Sequence, residues 1–449
     1  MNLLRKFFSP FCLLICTFLL LVIFYKSEII LNGSSRDYYF KYYLFFSILF
    51  TLSIISIFLN NNIKDYLIII SITLFISSFV AEYYLINFKP NNPYERKLID
   101  EGLKTKPRLY KEATGKKWDF RNQHQVYKDL LKNNPNVVPY FYPSMLRINA
   151  NQQIHSLSGV ANSLTVFCNE NGYYSLTESD RYGFNNPDKE WNSGEVEYVF
   201  VGDSYTQGHC VNRPNDIPSV VRKLSNKKTL NLGYGRNGPL IEYATLREYL
   251  PKKTKKIIFM YYGGNDLDEL NDELNNKVLV NYLNNQNFSQ NLIKMQNELD
   301  KIKRIQIQLR SDGQKYKLLR LRKLRGFFKD IAKEKKETNQ ADSIYRFDQL
   351  EKILLLTKKL AIENQSQLYF VYLQGERYLN NEAFKNNDLK YFNKVKSIIE
   401  KLEINFIDIH TEVFEKEENP LNLLPFGQMG HYTIEGYRKV AESIYNATN

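Results

Sequence analysis

Hydrophobic positions change rhythm as the chain proceeds. Through the first 87 residues they run almost unbroken, in three stretches from Phe7 to Tyr25, Tyr42 to Leu59 and Tyr66 to Ile86. Each is close to the ~20 residues a helix needs to cross ~30 Å of hydrocarbon. Glu82 is the one charge inside them, and three spans are the expectation. Arg5 and Lys6 precede the first stretch as they would a signal peptide, but no small-residue cleavage site comes before Lys26-Ser27-Glu28. Tyr38, Tyr39, Tyr42 and Tyr43, with Tyr83 and Tyr84, read as interfacial aromatics. Arg5, Lys6 and Lys64 balance Lys26, Arg36 and Lys41, so loop charge does not orient the spans. The first helix usually dominates, which puts the N-terminus inside and everything after residue 87 outside the cytoplasm.

Residues 88 to 195 form a second region. Asn92-Pro93, Asn134-Pro135 and Asn171-Gly172 punctuate short apolar runs such as Val137 to Tyr142 and Leu164 to Cys168. These predict a juxtamembrane linker with one or two helices, then a small strand-rich piece. The polar stretch Ser179 to Pro187 reads either as a turn or as a wall of a cleft.

From residue 196 to 449 strand-like and helical runs alternate. Strands are predicted over 197–201, 229–233, 255–262, 367–373 and 404–408, with helices over Ile217–Leu224, Glu242–Leu250, Phe347–Glu363, Asp388–Leu402 and a closing Thr433–Asn446. That alternation predicts a parallel sheet covered on both faces. A charged, helix-forming insertion without strands interrupts it between residues 267 and 342. Within the insertion, Lys315 to Lys336 holds ten Lys or Arg, with Leu318, Leu321, Leu324, Phe328 and Ile331 at helical spacing. Such a helix either lies on anionic headgroups or packs on the domain with a solvated basic face.

The net charge of +13 points to anionic surfaces, and three spans favour the membrane over nucleic acid. Cys12 and Cys16 fall inside the first span, leaving Cys168 and Cys210 as the pair available for a disulfide. Neither has the CxxC or HxxxH companions of a zinc site, and no phosphate-binding GxxxxGK[ST] loop occurs. No metal and no cofactor is therefore expected.

Three strand ends carry candidate chemistry. The first reads Gly202-Asp203-Ser204, the second Asn231-Leu232-Gly233 and the third Gly263-Gly264-Asn265-Asp266. A serine at the carboxyl end of a parallel strand stands where open α/β sheets place their sites. Acyl transfer needs donors aimed at a developing oxyanion, and the N–H groups of Ser204 and Gly233 with the Asn265 amide suit that need. A glycine at 233 would let a carbonyl oxygen approach. The base is His431, in Gly430-His431-Tyr432 just ahead of the closing helix, with His209 ranked well behind it.

Gly202-Asp203-Ser204, Gly233, Gly263 to Asp266 and His431 follow the order of the four blocks of the SGNH (GDSL-type) hydrolase superfamily, which residues 196–446 resemble. The resemblance implies a flavodoxin-like three-layer α/β/α sandwich, with Ser204 as nucleophile and His431 as general base. Ser204, Gly233 and Asn265 would form the oxyanion hole, with Asp203 and Asp266 supporting. The Ser179–Pro187 stretch and the insertion resemble features of membrane-bound bacterial members. One departure stands out: Gln428 occupies the position, three before the histidine, where the family usually carries an aspartate. The site would then run as a Ser-His dyad, borrow Glu435 or Asp408, or be weakened.

The expected function is a membrane-anchored serine esterase or O-acyltransferase of a bacterial inner membrane, with its catalytic domain outside. Its partners would be the lipid bilayer and an ester-bearing glycan or lipid. The competing reading, favoured by Gln428, is an inactive module that binds surface polysaccharide or assists its export. Nucleic-acid binding through residues 315–336 is disfavoured by an outside location.

Overall fold

The computed structural model describes residues 2–31, 33, 36–87, 105–142, 154–192, 194–314, 321–328, 343–375 and 382–449. They fall into two units, one drawn from residues 1–93, 147–154 and 309–341, the other from the remainder.

In the first unit, α1 (Asn2–Phe24, continued by a π-helical Tyr25–Ile30), α2 (Arg36–Ile57) and α3 (Asn61–Asn87) are each long and apolar enough to cross a membrane. They run past the apolar stretches because flanking polar residues continue the same helices. The hydroxyl of Ser56 donates to that of Ser9 at 2.8 Å, tying α2 to α1. Most of the basic run 315–336 lies outside the described residues; residues 322–328 are helical. Their first turn is capped by Glu82 of α3, whose carboxylate accepts from Lys323 N at 3.0 Å and Leu324 N at 2.7 Å. Arg325 donates to the Tyr42 hydroxyl of α2 at 2.9 Å.

The second unit holds two sheets. A small one, β1 (Val137–Pro139), β2 (Leu164–Val166) and β3 (Leu176–Glu178), pairs parallel and then antiparallel. The large one is five-stranded and wholly parallel: β4 (Val196–Val201), β5 (Thr229–Asn231), β6 (Thr254–Tyr262), β7 (Gln367–Leu373) and β8 (Asn405–Asp408). Its order, β5-β4-β6-β7-β8, is the second-first-third-fourth-fifth order of doubly wound flavodoxin-like sheets. Alternating residues of each strand point to opposite faces. Tyr198, Phe200, Ile258, Met260 and Val371 pack with helices Ile217–Ser225 and Ile434–Thr448. On the other face lie helices Pro239–Tyr249, Ser343–Glu363 and Glu382–Lys401. Both faces are thus covered, as the continuous apolar strands require.

Ser179–Pro187 is the turn the sequence allowed, and a largely buried one. Asp180 accepts from the backbone N–H of Tyr182 and Phe184 and from the side chains of Asn186 and Trp191. Asn186 then pairs with the backbone of Asn231, donating to its O at 2.9 Å and accepting from its N at 2.8 Å. The amide side chain so imitates a neighbouring strand and closes the exposed edge of β5. In the insertion, the helix Leu292–Gln314 clamps the segment before β2: buried Lys303 donates to Gly159 O at 2.5 Å and Arg304 to Ser163 Oγ at 2.9 Å.

Candidate active site

Ser204 opens a one-turn helix, Ser204–Gln207, at the carboxyl end of β4. Asp203 caps it, accepting from Tyr205 N at 2.9 Å. Gly202 is required by closeness: a Cβ there would lie 2.1 Å from Thr206 Oγ1 and 2.9 Å from Met260 Cβ. Ser204 Oγ stands 2.9 Å from His431 Nε2 and 3.3 Å from Asp203 Oδ2.

The other nitrogen of that imidazole meets a residue the sequence reading did not name. Glu170 Oε1 lies 3.0 Å from His431 Nδ1, and Glu170 Oε2 accepts the His431 backbone N–H at 2.6 Å. Burial alone would push the Glu170 carboxyl up. The charge and hydrogen bonds of His431, helped by Lys106, outweigh it and hold the group down to about 2. A charged carboxylate offers only lone pairs, so Nδ1 carries the hydrogen and Nε2 turns a lone pair to the serine hydroxyl. Gly430 leaves room for this contact, since a Cβ there would lie 2.8 Å from Glu170 Oε2.

Both ring nitrogens are therefore taken without Gln428. Asp408 caps the short helix Ile409–Glu412 through His410 N, and Glu435 pairs with Arg438, so both carboxylates proposed as substitutes are engaged elsewhere. Glu170 comes instead from the loop between β2 and β3, 261 residues from the histidine. Two residues before it, Cys168 is joined to Cys210 in a disulfide. That link was the available signal in the sequence, because it brings the neighbourhood of residue 170 to the segment just after Ser204.

Two tilted rings flank His431 as well. Tyr205 and His209 each lie 4.9 Å away, centroid to centroid. Burial, then the neighbouring His431, pushes His209 down to about 3, which keeps it a neutral wall. His209 packs in turn on Tyr140 at 4.8 Å, and Tyr140 stacks on Tyr234 at 5.3 Å.

The three expected oxyanion donors fare differently. Ser204 and Asn265 stand at the same end of the neighbouring strands β4 and β6. The Gly233 N–H, however, donates to Asn231 Oδ1 at 2.9 Å, so it is engaged rather than open. Its lack of a side chain has a packing reason. A Cβ on Gly233 would lie 2.6 Å from Thr206 Cβ and 2.8 Å from Gln207 N, so the glycine lets the loop pack on the helix Ser204–Gln207. Asp266 accepts from Tyr262 N at 2.7 Å and closes the turn carrying Asn265. Beneath the site, Glu273 accepts from Gly238 N at 2.6 Å and Leu240 N at 3.0 Å, anchoring the glycine-rich loop. Burial pushes its carboxyl up to about 8.

Cys168, His209 and Cys210, and again Glu170, Cys210 and His431, bring metal-ligating atoms within 4.8 Å of one another. The disulfide consumes both thiolates that zinc would use, and Glu170 and His431 bind each other.

No protein-family model and no curated protein matches the sequence. Among solved structures, the chain is similar to a protein of the lipolytic G-D-S-L family from Desulfitobacterium hafniense DCB-2, at 14% identity and a TM-score of 0.33. It is also similar to the acetyl xylan esterase AlAXEase, at 12% identity and a TM-score of 0.32. Each comparison covers 56% of this chain and 99% of the other. At such values the α/β assignment rests on the strand order of this chain itself.

Proposed function

We propose that this chain is a membrane-anchored serine esterase or O-acyltransferase of the SGNH type, acting on ester-bearing cell-surface glycans or lipids. The observation that carries the reading is the unbroken relay from Glu170 through His431 to Ser204, with contacts of 3.0 and 2.9 Å.

In the reaction, Ser204 Oγ attacks the ester carbonyl carbon while His431 Nε2 takes the hydroxyl proton. The carbonyl oxygen becomes an oxyanion beside the Ser204 N–H and the Asn265 amide. Glu170 offsets the positive charge now on the imidazole and fixes its tautomer. Collapse of the intermediate breaks the bond to the leaving alcohol, which receives the proton from His431 and leaves an acyl-Ser204 ester. Water or a sugar hydroxyl then attacks that ester, with His431 again accepting the proton, and gives the free acid or a new ester.

Three apolar helices and the Glu82 contact to helix 322–328 support the membrane setting. The Cys168–Cys210 bridge supports an oxidising compartment outside the cytoplasm, and with it a catalytic domain outside the inner membrane. The inactive-module reading drew on Gln428, and Glu170 removes its motive. The test is p-nitrophenyl acetate turnover by the detergent-solubilised chain and its Ser204→Ala variant, with a fluorophosphonate adduct located by mass spectrometry. The expected result is loss of turnover in the variant and an adduct on Ser204. Equal rates overturn the reading.

A further inference from the structure

The acid of the relay does not belong to the sheet that carries the nucleophile. Glu170 stands between β2 and β3 of the small sheet, whereas Ser204 stands just after β4 of the large one and His431 just before the closing helix that packs on it. What brings the two together is concentrated around Cys210. Cys168, two residues before Glu170, is covalently joined to it. Asn171, one residue after Glu170, donates from Nδ2 to Cys210 O at 3.0 Å. Glu170 is thus bracketed, on both sides in sequence, by bonds to one residue six positions after the nucleophile.

Cys210 is itself a fixed point. Its φ of 62° is a left-handed conformation that a residue with a side chain keeps only where its surroundings hold it. Just before it, His209 N donates to Ser204 O at 3.0 Å, and His209 O accepts from the Tyr437 hydroxyl at 3.1 Å. Tyr437 lies on the closing helix that follows His431. The segment receiving the disulfide is therefore bonded both to the nucleophile turn and to the helix behind the base.

We propose that the Cys168–Cys210 disulfide is a positioning device for the relay: it holds Glu170 against His431, so that full activity requires the oxidised pair. The proposal rests on the esterase reading above. Its physical basis is that a carboxylate aids an imidazolium only within hydrogen-bonding reach, and a misplacement of ~1 Å can cost about 10²-fold in rate. With the bridge open, the covalent link on one side of Glu170 is gone while hydrogen bonds such as Asn171 to Cys210 O remain, and a shift of that size draws the carboxylate off the ring toward water, where it is better solvated. Opening is a balanced exchange with a dithiol. One thiolate of the reductant attacks a sulfur of the bridge and forms a mixed disulfide. The second thiolate displaces the protein sulfur, leaving two protein thiols and the reductant as a cyclic disulfide. Two electrons and two protons pass to the protein. Cys168 is half-buried and offers the reachable sulfur, whereas Cys210 is 1% exposed.

The test uses the full chain in detergent, far below its melting temperature, as wild type, Glu170→Gln, Cys168→Ser with Cys210→Ser, and all three together. Removing the bridge is expected to lower kcat by about 10²-fold and to add no further loss in the Glu170→Gln background, because both act through one contact. Equal cost in the two backgrounds overturns the proposal and leaves the disulfide a staple of the fold. Dithiol treatment of folded wild type must reproduce the variant, which guards against a serine pair that misfolds. The imidazole of His431, followed by NMR of 15N-histidine-labelled protein, reads the same contact without turnover. Its titration midpoint is expected to fall when the bridge opens, and an unchanged midpoint overturns the proposal. A midpoint that moves while Ser204→Ala keeps wild-type turnover upholds the positioning and removes the esterase reading.

Discussion

Glu170 holds His431 by two atoms at once, one carboxylate oxygen on the ring Nδ1 at 3.0 Å and the other on the backbone N–H at 2.6 Å. A single contact would leave the ring free to pivot about it. Two contacts fix the imidazole relative to its own backbone and keep Nε2 on the serine hydroxyl. Glu170→Gln keeps the shape and removes the charge. Its kcat should fall by up to about 10⁴-fold, the cost of the corresponding change in the serine-protease triad. The acid limb of kcat/KM should also move to lower pH, because an imidazolium without its anion forms less readily. A pH profile of ester hydrolysis checks both, and an unmoved limb would remove Glu170 from the relay.

The same carboxylate should leave a mark on acid stability. Folded, it is held at about 2, below the ordinary glutamate value near ~4.3. Between those values the unfolded chain binds the proton and the folded chain does not, so stability there rises with pH. The contribution is complete above the ordinary value and lost as pH falls toward 2. Denaturant unfolding in one detergent at pH 6 and pH 3 should show the wild-type advantage over Glu170→Gln shrinking at the lower pH. A constant advantage would mean that the ion pair does not form.

Gln428→Ala, by contrast, should leave ester hydrolysis within about 0.5 kcal/mol of wild type, roughly a factor of two. Both ring nitrogens of His431 are occupied by Glu170 and Ser204. A loss as large as that of Glu170→Gln would return the ring partner to position 428.

These two positions separate what the sequence discloses from what it withholds. Ser204 and His431 were legible because each borders a regular element: a β-branched run ends just before one, and a helix begins just after the other. Periodicity marks such ends, and the parallel sheet then brings them to one edge. Glu170 closes nothing. It sits in a loop without rhythm, its partner is 261 residues away, and its assignment depends on the pairing of Cys168 with Cys210. Gly233 was found for a reason the structure corrects, because a glycine admitting a substrate and one admitting Thr206 look alike in sequence. The Ser179–Pro187 turn was legible, but what it does was not. Its asparagines close an edge of β5, a role that leaves no periodic trace.

Gly233→Ala tests that corrected reason. The added Cβ would meet Thr206 Cβ at 2.6 Å and Gln207 N at 2.8 Å. The second of these is backbone of the helix Ser204–Gln207 and cannot swing aside. Overpacking of this kind costs ~1–3 kcal/mol, which thermal unfolding should register along with a lower kcat. Unchanged stability with a raised KM would instead favour the substrate-facing role.

Glu82 is 0% exposed in the third apolar helix. A buried carboxylate is expensive unless it is partnered, and here both oxygens accept backbone N–H groups, from Lys323 and Leu324. It therefore caps helix 322–328, from which Arg322, Lys323, Arg325 and Phe328 are exposed. Glu82→Gln replaces one acceptor with an NH₂ facing an N–H, and a lost cap costs ~1 kcal/mol. Such a change shifts a local opening equilibrium about fivefold. Tryptic cleavage at Arg322, Lys323 and Arg325 in proteoliposomes should quicken by about that factor. Cleavage at an unaltered rate would mean that the insertion is held by other contacts and that Glu82 is buried for a different purpose.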